Sequence, residues 1–344
     1  MLGRIRHKIV RYFLKGDVDV RDIDALRWNC KNFGFQLAIQ LQGLIPERIE
    51  NNFQQVGLVC QPCRQADLDS PWTWYWLNRL KVPVIYHRKL WELAYVMQAI
   101  MENLNWQPGL SGLGFGCGEE PLPSLMVQMG AKVTVTDLAP EASAGKGWDN
   151  TNQHTTTLAK AHNAGLVDQK LFFDNAELKY VDMNAIPAEL DGQYDYCWSV
   201  CALEHLGSIQ HGLDFILNSA KTLKPGGVAV HTTEFNYTKT EKTIDNHGTV
   251  LFLRKNFEQL AVRAKELGLE MKPLSFDVGD KPLDRFIDLP PYVCDDQTIM
   301  TQWPLQVGNH PPHIGNNSLQ QAHLKMLLDG FPSTCYGIIV KKPA

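Results

Sequence analysis

The chain has 344 residues, of which 44% are hydrophobic and 20% charged, and its formal net charge is -4. That is enough apolar material for one large domain or two modest ones with a full core, which excludes whole-chain disorder, and the balance lacks the basic excess that recruits nucleic acid. No apolar run is long enough to span a bilayer, and the opening "MLGRIRHKIVRYFLKG" lacks the apolar centre and cleavage site of a secretory signal, so stable membrane insertion is not expected and the expected location is cytoplasmic. Eight scattered cysteines fit buried thiols in a reducing compartment. Only Cys60 and Cys63 of "CQPC" have metal or redox spacing, and with no second Cys/His pair they do not make a zinc site.

Residues 1–85 hold short mixed segments, the densest in tryptophan being "SPWTWYWLNRL", which reads as core before it reads as a sugar platform. The basic residues Arg4, Arg6, Lys8, Arg11 and Lys15 read as a solvated helix face, with a membrane surface as the alternative. "HRKLWELAYVMQAIMENL" has helical apolar spacing, and "WQPG" ends it. From Leu110 strands and helices alternate: a strand running into glycines, a helix over "LPSLMVQM", the strand "KVTVTD", a helix around 155–164, and the strands "LKYVDM" and "YDYCWSV". A helix over about 208–223, a turn and strand in "LKPGGVAVHTTEF", a helix over "RKNFEQLAVRAKELG" and strands in "LEMKPLSFDVG" and "STCYGIIVKK" complete the chain. Such alternation predicts a parallel, doubly wound α/β sheet. Residues 282–325, rich in Pro, Asn and His, interrupt the last two strands.

The stretch "SGLGFGCGEEPLPSLMVQMGAKVTVTDLAP" carries the chemistry. Glycines at 112, 114, 116 and 118 allow sharp turns and close approach to a ligand, and Asp137 stands where a second strand ends. In open α/β sheets ligands sit beyond the carboxyl ends of the strands, so the loop and Asp137 converge on one site, where a carboxylate suits the hydroxyls of a ribose. Glu119 and Glu120 follow the last glycine at once and would repel a pyrophosphate, which favours a cationic ligand over a nicotinamide dinucleotide.

With "LSGLGFGCGEE", "VTVTD", "VDM", "YDYCWSVCALEHL" and "LKPGG" in that order, the chain resembles the class I S-adenosylmethionine-dependent methyltransferases over roughly residues 90–280 plus the final strand. "HRKLWE", "GFGCGEEPLPSL", "GW", "TNQH" and "HTTEFN" are similar to phrases of bacterial members associated with surface-polysaccharide or secondary-metabolite pathways. The resemblance implies a Rossmann-like, doubly wound, seven-stranded sheet in a cofactor-binding domain over 86–344. Residues 1–85 then form a helical N-terminal extension or cap, and about 282–325 a C-terminal cap insertion.

It further implies S-adenosyl-L-methionine as cofactor, with Gly114, Gly116 and Gly118 wrapping it and Asp137 on its ribose. Asp182 would face the adenine amino group, its alternative being a solvated turn, and Ser199 and Cys201 would lie along the methionine moiety. Gly112 stands where the family often has Asp or Glu, so another group, Glu119, is expected to hold the methionine amine.

Methyl transfer is an in-line displacement at an already activated carbon, so the protein supplies alignment and, for a hydroxyl acceptor, a base. His205, His231 and Glu234, near the ends of the fourth and fifth strands, are the candidate catalytic residues, and Glu204 is a candidate acceptor contact. Each has a structural alternative: a turn cap for His205, a satisfied core histidine for His231, a partner for a nearby arginine or helix N-terminus for Glu234. The same side chains suit a divalent cation, but no tight ligand spacing occurs and no metal ligands are assigned. Trp148, Gln153 and His154 of "GWDNTNQH" are candidate acceptor contacts, and His310 and His313 fall in a loop that reads as exposed.

The expectation is therefore O-methylation of a small molecule or saccharide, with no nucleic-acid partner and with homo-oligomerisation left open. A NAD-dependent oxidoreductase and a non-catalytic cofactor-binding subunit are the alternatives. The former predicts affinity for NADH and none for S-adenosylmethionine, the latter indifference to loss of His205, His231 and Glu234.

Overall fold

The computed structural model describes residues 20–46, 52–140, 156–290, 292, 313–314, 317–318 and 322–344. Helix α1 (Val20–Gln42) leads into strand β1 (Gln61–Pro62), the short helix α2 (Gln65–Leu68) and α3 (Pro71–Arg79). Helix α4 (Arg88–Asn103) starts where the His87 ring accepts from the Lys89 amide, supplying one of the bonds a helix start lacks. Then come β2 (Ser111–Gly114), α5 (Leu122–Gln128), β3 (Lys132–Asp137), α6 (Gln169–Asn175), β4 (Ala176–Tyr180), β5 (Tyr194–Val200), α7 (Ile209–Ser219) and β6 (Leu223–Asn236). Helix α8 (Arg254–Glu266), β7 (Glu270–Met271), α9 (Pro282–Arg285), β8 (His313–Ile314), β9 (Asn317–Ser318), β10 (Met326–Leu328) and β11 (Phe331–Lys341) follow.

Among the described residues the main sheet has nine strands, in the order β1-β11-β6-β5-β2-β3-β4, with β7 and β10 also pairing with β11. β2 to β6 are parallel, as the alternation predicts, whereas β11 runs antiparallel to β6. The parallel sheet is thus extended by antiparallel strands along one side. The count exceeds seven because β1, β7 and β10 are short pieces recruited by the long β11.

Three local expectations shift. The helix expected over 155–164 is a single 3₁₀ turn at Leu158–Ala161 among the described residues, and α6, not anticipated, follows it from its Asp168 cap. The "KPGG" turn lies inside β6, where the register slips between Tyr194 and Tyr196 and Gly226 takes φ +82°. The "VDM" strand ends at Tyr180, two residues before Asp182.

The core gathers Trp76, Trp91, Trp198, Tyr95, Tyr196 and Tyr336, all below 2% exposed or at it. Residues 58–80 join it: Cys60, Cys63, Trp72 and Trp76 are buried, and β1 extends the sheet beyond β11. Among the described residues no helix is long and apolar enough to cross a membrane.

Tyr196 explains one glycine. A Cβ on Gly112 would come within 2.3 Å of its ring. Gly112→Ala is expected to destabilise the fold by about 1–3 kcal/mol through overpacking, with partial recovery in the double variant carrying Tyr196→Leu. Denaturant unfolding checks this; wild-type stability in the single variant would count against it.

Candidate active site

The glycine loop closes on β3. Gly116 and Gly118 adopt φ +58° and +52°, conformations other residues resist. The Cys117 amide donates to the Thr136 carbonyl at 3.1 Å, and the Gly118 amide to Asp137 Oδ2 at 3.3 Å. Loop and Asp137 therefore form one unit, as their spacing predicts. Gly114 has a different explanation: a Cβ there would meet Cys117 Sγ at 2.3 Å and the Trp198 ring at 2.4 Å, so packing already requires it.

The two carboxylates after the loop separate. Glu119 is exposed and pairs with Lys160 at 3.5 Å, which corrects its expected place on the methionine amine. Glu120 turns inward instead, and its Oε1 accepts from Trp198 Nε1 at 2.6 Å. Burial pushes its carboxyl up to about 8, against the opposing hydrogen bonds from Trp198 and Cys117. Asp182 is exposed and accepts from the Asn184 amide at 2.8 Å, the turn role that was its alternative. It does stand beside the loop, since its neighbour Met183 lies against Gly116.

Ser199 and His231 are register partners on β5 and β6 and point away from this region. Both are fully buried; Ser199 Oγ and Ser219 Oγ hold the imidazole at Nδ1 and Nε2, at 2.8 and 2.9 Å. Burial drives His231 down to about 3. A histidine with both nitrogens engaged and no access has no route to an acceptor proton, so His231 is corrected from base to core residue, and Ser199 from cofactor contact to its partner. The cause is strand alternation: successive residues face opposite sides of the sheet.

The opposite face carries the candidate centre. Arg88 and Glu92, one turn apart on α4, meet Cys201 and Glu204 after β5, Thr232 and Glu234 of β6, and Cys335 of β11. Glu92, at 0% exposed, accepts from Cys201 Sγ at 2.7 Å, Cys335 Sγ at 2.8 Å and Thr232 Oγ1 at 2.6 Å. Burial pushes its carboxyl up, but Lys89, Arg88 and the two thiols outweigh that and hold it below the ordinary carboxylate range.

Glu234 Oε1 pairs with Arg88 Nη1 at 2.7 Å, while its Oε2 is buried with no hydrogen-bond partner among the described residues. Burial raises this carboxyl to about 7; Arg88 opposes the shift and Glu204 adds to it. Glu204 accepts from Thr233 Oγ1 at 3.1 Å and is also raised by burial. His205 hydrogen-bonds through Nδ1 to the Gly248 carbonyl at 3.0 Å and leaves Nε2 3.9 Å from Glu204. Cys201, at φ +44°, is the strained residue at the turn off β5.

Two triads, Glu92/Cys201/Cys335 and Cys201/Glu204/Glu234, have ligand atoms close enough for one ion. Arg88 Nη1, 2.8 Å from Cys335 Sγ and 2.7 Å from Glu234 Oε1, already places a cation among them. Trp148, Gln153, His154 and His310 lie outside the described residues, as do the N-terminal basic residues. Sequence reasoning missed Arg88, Glu92 and Cys335 as site residues, and gave Glu120 no role beyond its charge beside the loop. The legible signal was a pair of charges at i, i+4 in an otherwise apolar helix, a costly placement without partners.

A glycine loop locked to a strand-end aspartate thus stands near a buried, carboxylate-rich cluster beyond β5 and β6. The family described as a methyltransferase domain matches residues 87–273, just over half the chain, and the protein belongs to it. It is an S-adenosylmethionine-dependent methyltransferase, and S-adenosylmethionine is its cofactor. No curated protein matches.

Among solved structures the chain is similar to a putative methyltransferase from Bacillus halodurans C-125, at 11% identity and TM-score 0.39, over 71% of this chain and 97% of that one. It is similar to a putative sarcosine dimethylglycine methyltransferase from Galdieria sulphuraria, at 17% identity and TM-score 0.40, over 90% and 98%. A third, a S-adenosylmethionine-dependent methyltransferase from Methanosarcina mazei, shows 14% identity and TM-score 0.40 over 71% and 96%.

Proposed function

We propose that this methyltransferase methylates a hydroxyl group of a small molecule or saccharide, with Glu234 as the base. The observation that carries this reading is the buried Oε2 of Glu234, which has no hydrogen-bond partner among the described residues, on a carboxyl raised to about 7. A base tuned near neutrality both exists in its ionised form and gains little by holding its proton beforehand.

The cofactor, when bound, supplies a methyl group made electrophilic by the sulfonium. Asp137, with the Gly116–Gly118 turn, fits its ribose, because the carboxylate stands at the strand end where the loop amides gather. Arg88 fixes the Glu234 carboxyl through Oε1 and leaves Oε2 to accept the acceptor's proton. His205 and the buried Glu204, after β5, are the candidate groups that orient the acceptor, and Asp182, beside the glycine loop, is a candidate neighbour of the adenine. Trp148, Gln153 and His154 remain candidate acceptor contacts.

Calorimetry with S-adenosylhomocysteine tests the cofactor half. Asp137→Ala is expected to weaken binding about 10- to 100-fold, the worth of a charge-assisted hydrogen bond. Methyl-labelled S-adenosylmethionine with hydroxylated metabolites and saccharides then tests the acceptor half. Label recovered as a methyl ether supports the reading; label only on nitrogen or sulfur overturns it.

A further inference from the structure

Strand β2 reads Ser111, Gly112, Leu113, Gly114 and carries no acid, and the direction a side chain would take from Gly112 is filled by Tyr196. The ammonium of the cofactor's methionine moiety therefore needs a carboxylate from elsewhere. Glu119 faces solvent and Lys160. Glu120 stands over the carboxyl ends of β2 and β5: it bonds Trp198, the register partner of Gly114, and its amide is tied to the Cys117 carbonyl at 3.2 Å.

Lys89 stands in the first turn of α4, next to Arg88. Its ammonium lies 3.6 Å from Glu92 Oε1, and its charge acts on Glu120, Glu204 and Glu234 as well. The cleft thus holds four carboxyls, Glu92, Glu120, Glu204 and Glu234, against two cations, Arg88 and Lys89. A surplus of acid suits a ligand of net positive charge, which S-adenosylmethionine is: sulfonium and ammonium against one carboxylate.

We propose that Glu120 and Lys89 form a clamp for the amino-acid end of the cofactor, Glu120 taking the ammonium and Lys89 the carboxylate, in place of the strand-end acid this chain lacks. The clamp rests on the cofactor assignment and is independent of which acceptor is methylated. The raised Glu120 carboxyl agrees with it, because a half-buried acid turned towards Trp198 gains from a cation brought beside it.

The test compares S-adenosylhomocysteine with 5′-methylthioadenosine, the same nucleoside thioether without the amino-acid end, by calorimetry on wild type, Glu120→Gln, Lys89→Met and Glu119→Gln. Glutamine keeps an oxygen for Trp198 Nε1, so packing is preserved. Wild type is expected to prefer S-adenosylhomocysteine. Glu120→Gln and Lys89→Met should each lose about 10- to 100-fold of that preference, with methylthioadenosine binding unchanged and Glu119→Gln like wild type. The clamp is overturned if Glu120→Gln keeps the wild-type preference. Equal weakening of both ligands would overturn it too, since that is the mark of a packing role through Trp198. Wild type binding neither ligand would instead remove the cofactor assignment on which the clamp stands.

Discussion

Glu234→Gln is expected to lower kcat by about 10²- to 10⁴-fold, the usual contribution of a positioned base, while S-adenosylhomocysteine affinity stays at the wild-type level. Glutamine preserves the shape and an oxygen for Arg88 but accepts no proton. The pH profile separates a base from a scaffold. Glu234 is raised to about 7, so its ionised fraction, and with it kcat/KM, should climb as pH rises through that value and level off above it. In Glu234→Gln that limb should vanish. Because Glu204 adds to the shift, the observed value belongs to the pair. The acceptor found by methyl-label transfer provides the assay, and a Gln variant with near-wild-type kcat and an unchanged profile would sink the assignment.

Glu92→Ala should cost about 3–5 kcal/mol of stability, the range for removing one partner of a buried ion pair. The carboxylate is wholly buried and joins α4 to the β5 turn, β6 and β11 through Cys201, Thr232 and Cys335. Without it Arg88 keeps Glu234 but loses its neighbour on α4, and three donors lose their acceptor. Glu92→Gln should recover part of the loss by keeping one acceptor oxygen. The pH sign follows from the lowered carboxyl: its contribution is present above the unfolded value of about 4.3 and fades as pH falls through the folded one. Denaturant midpoints at neutral and acid pH measure both effects. A change below about 1 kcal/mol, within the ordinary run of substitutions, would mean that Arg88 and the thiols re-pair locally.

Much of the site was legible because its signals are local. A positive φ at Gly116 and Gly118, a β-branched run ending in Asp137 and a helical apolar period in α4 are each written within a few residues. Position along a strand was legible as well, placing Glu234 and Cys201 near the correct ends. The side of the sheet was not. Ser199 and Glu234 sit near strand ends and His231 within β6, yet only Glu234 joins the Arg88 cluster, and period-two alternation tells the two faces apart without naming them. Glu119 and Glu120 are adjacent acids that only the turn after Gly118 separates into a solvated one and an inward one.

The sequence alone determined most of the succession of strands and helices, the glycine loop and the aspartate it meets, because backbone conformation and hydrophobic period are properties of short stretches. Tertiary structure alone decided which carboxylates ionise. Arg88, Glu92, Cys201, Glu234 and Cys335 come from four separate parts of the chain. Glu92 is held below and Glu234 above the ordinary carboxylate range because burial acts on both while the neighbours differ. Desolvation and the nearness of a charge exist only once distant segments have packed, so the chemistry of this cleft is written in the fold.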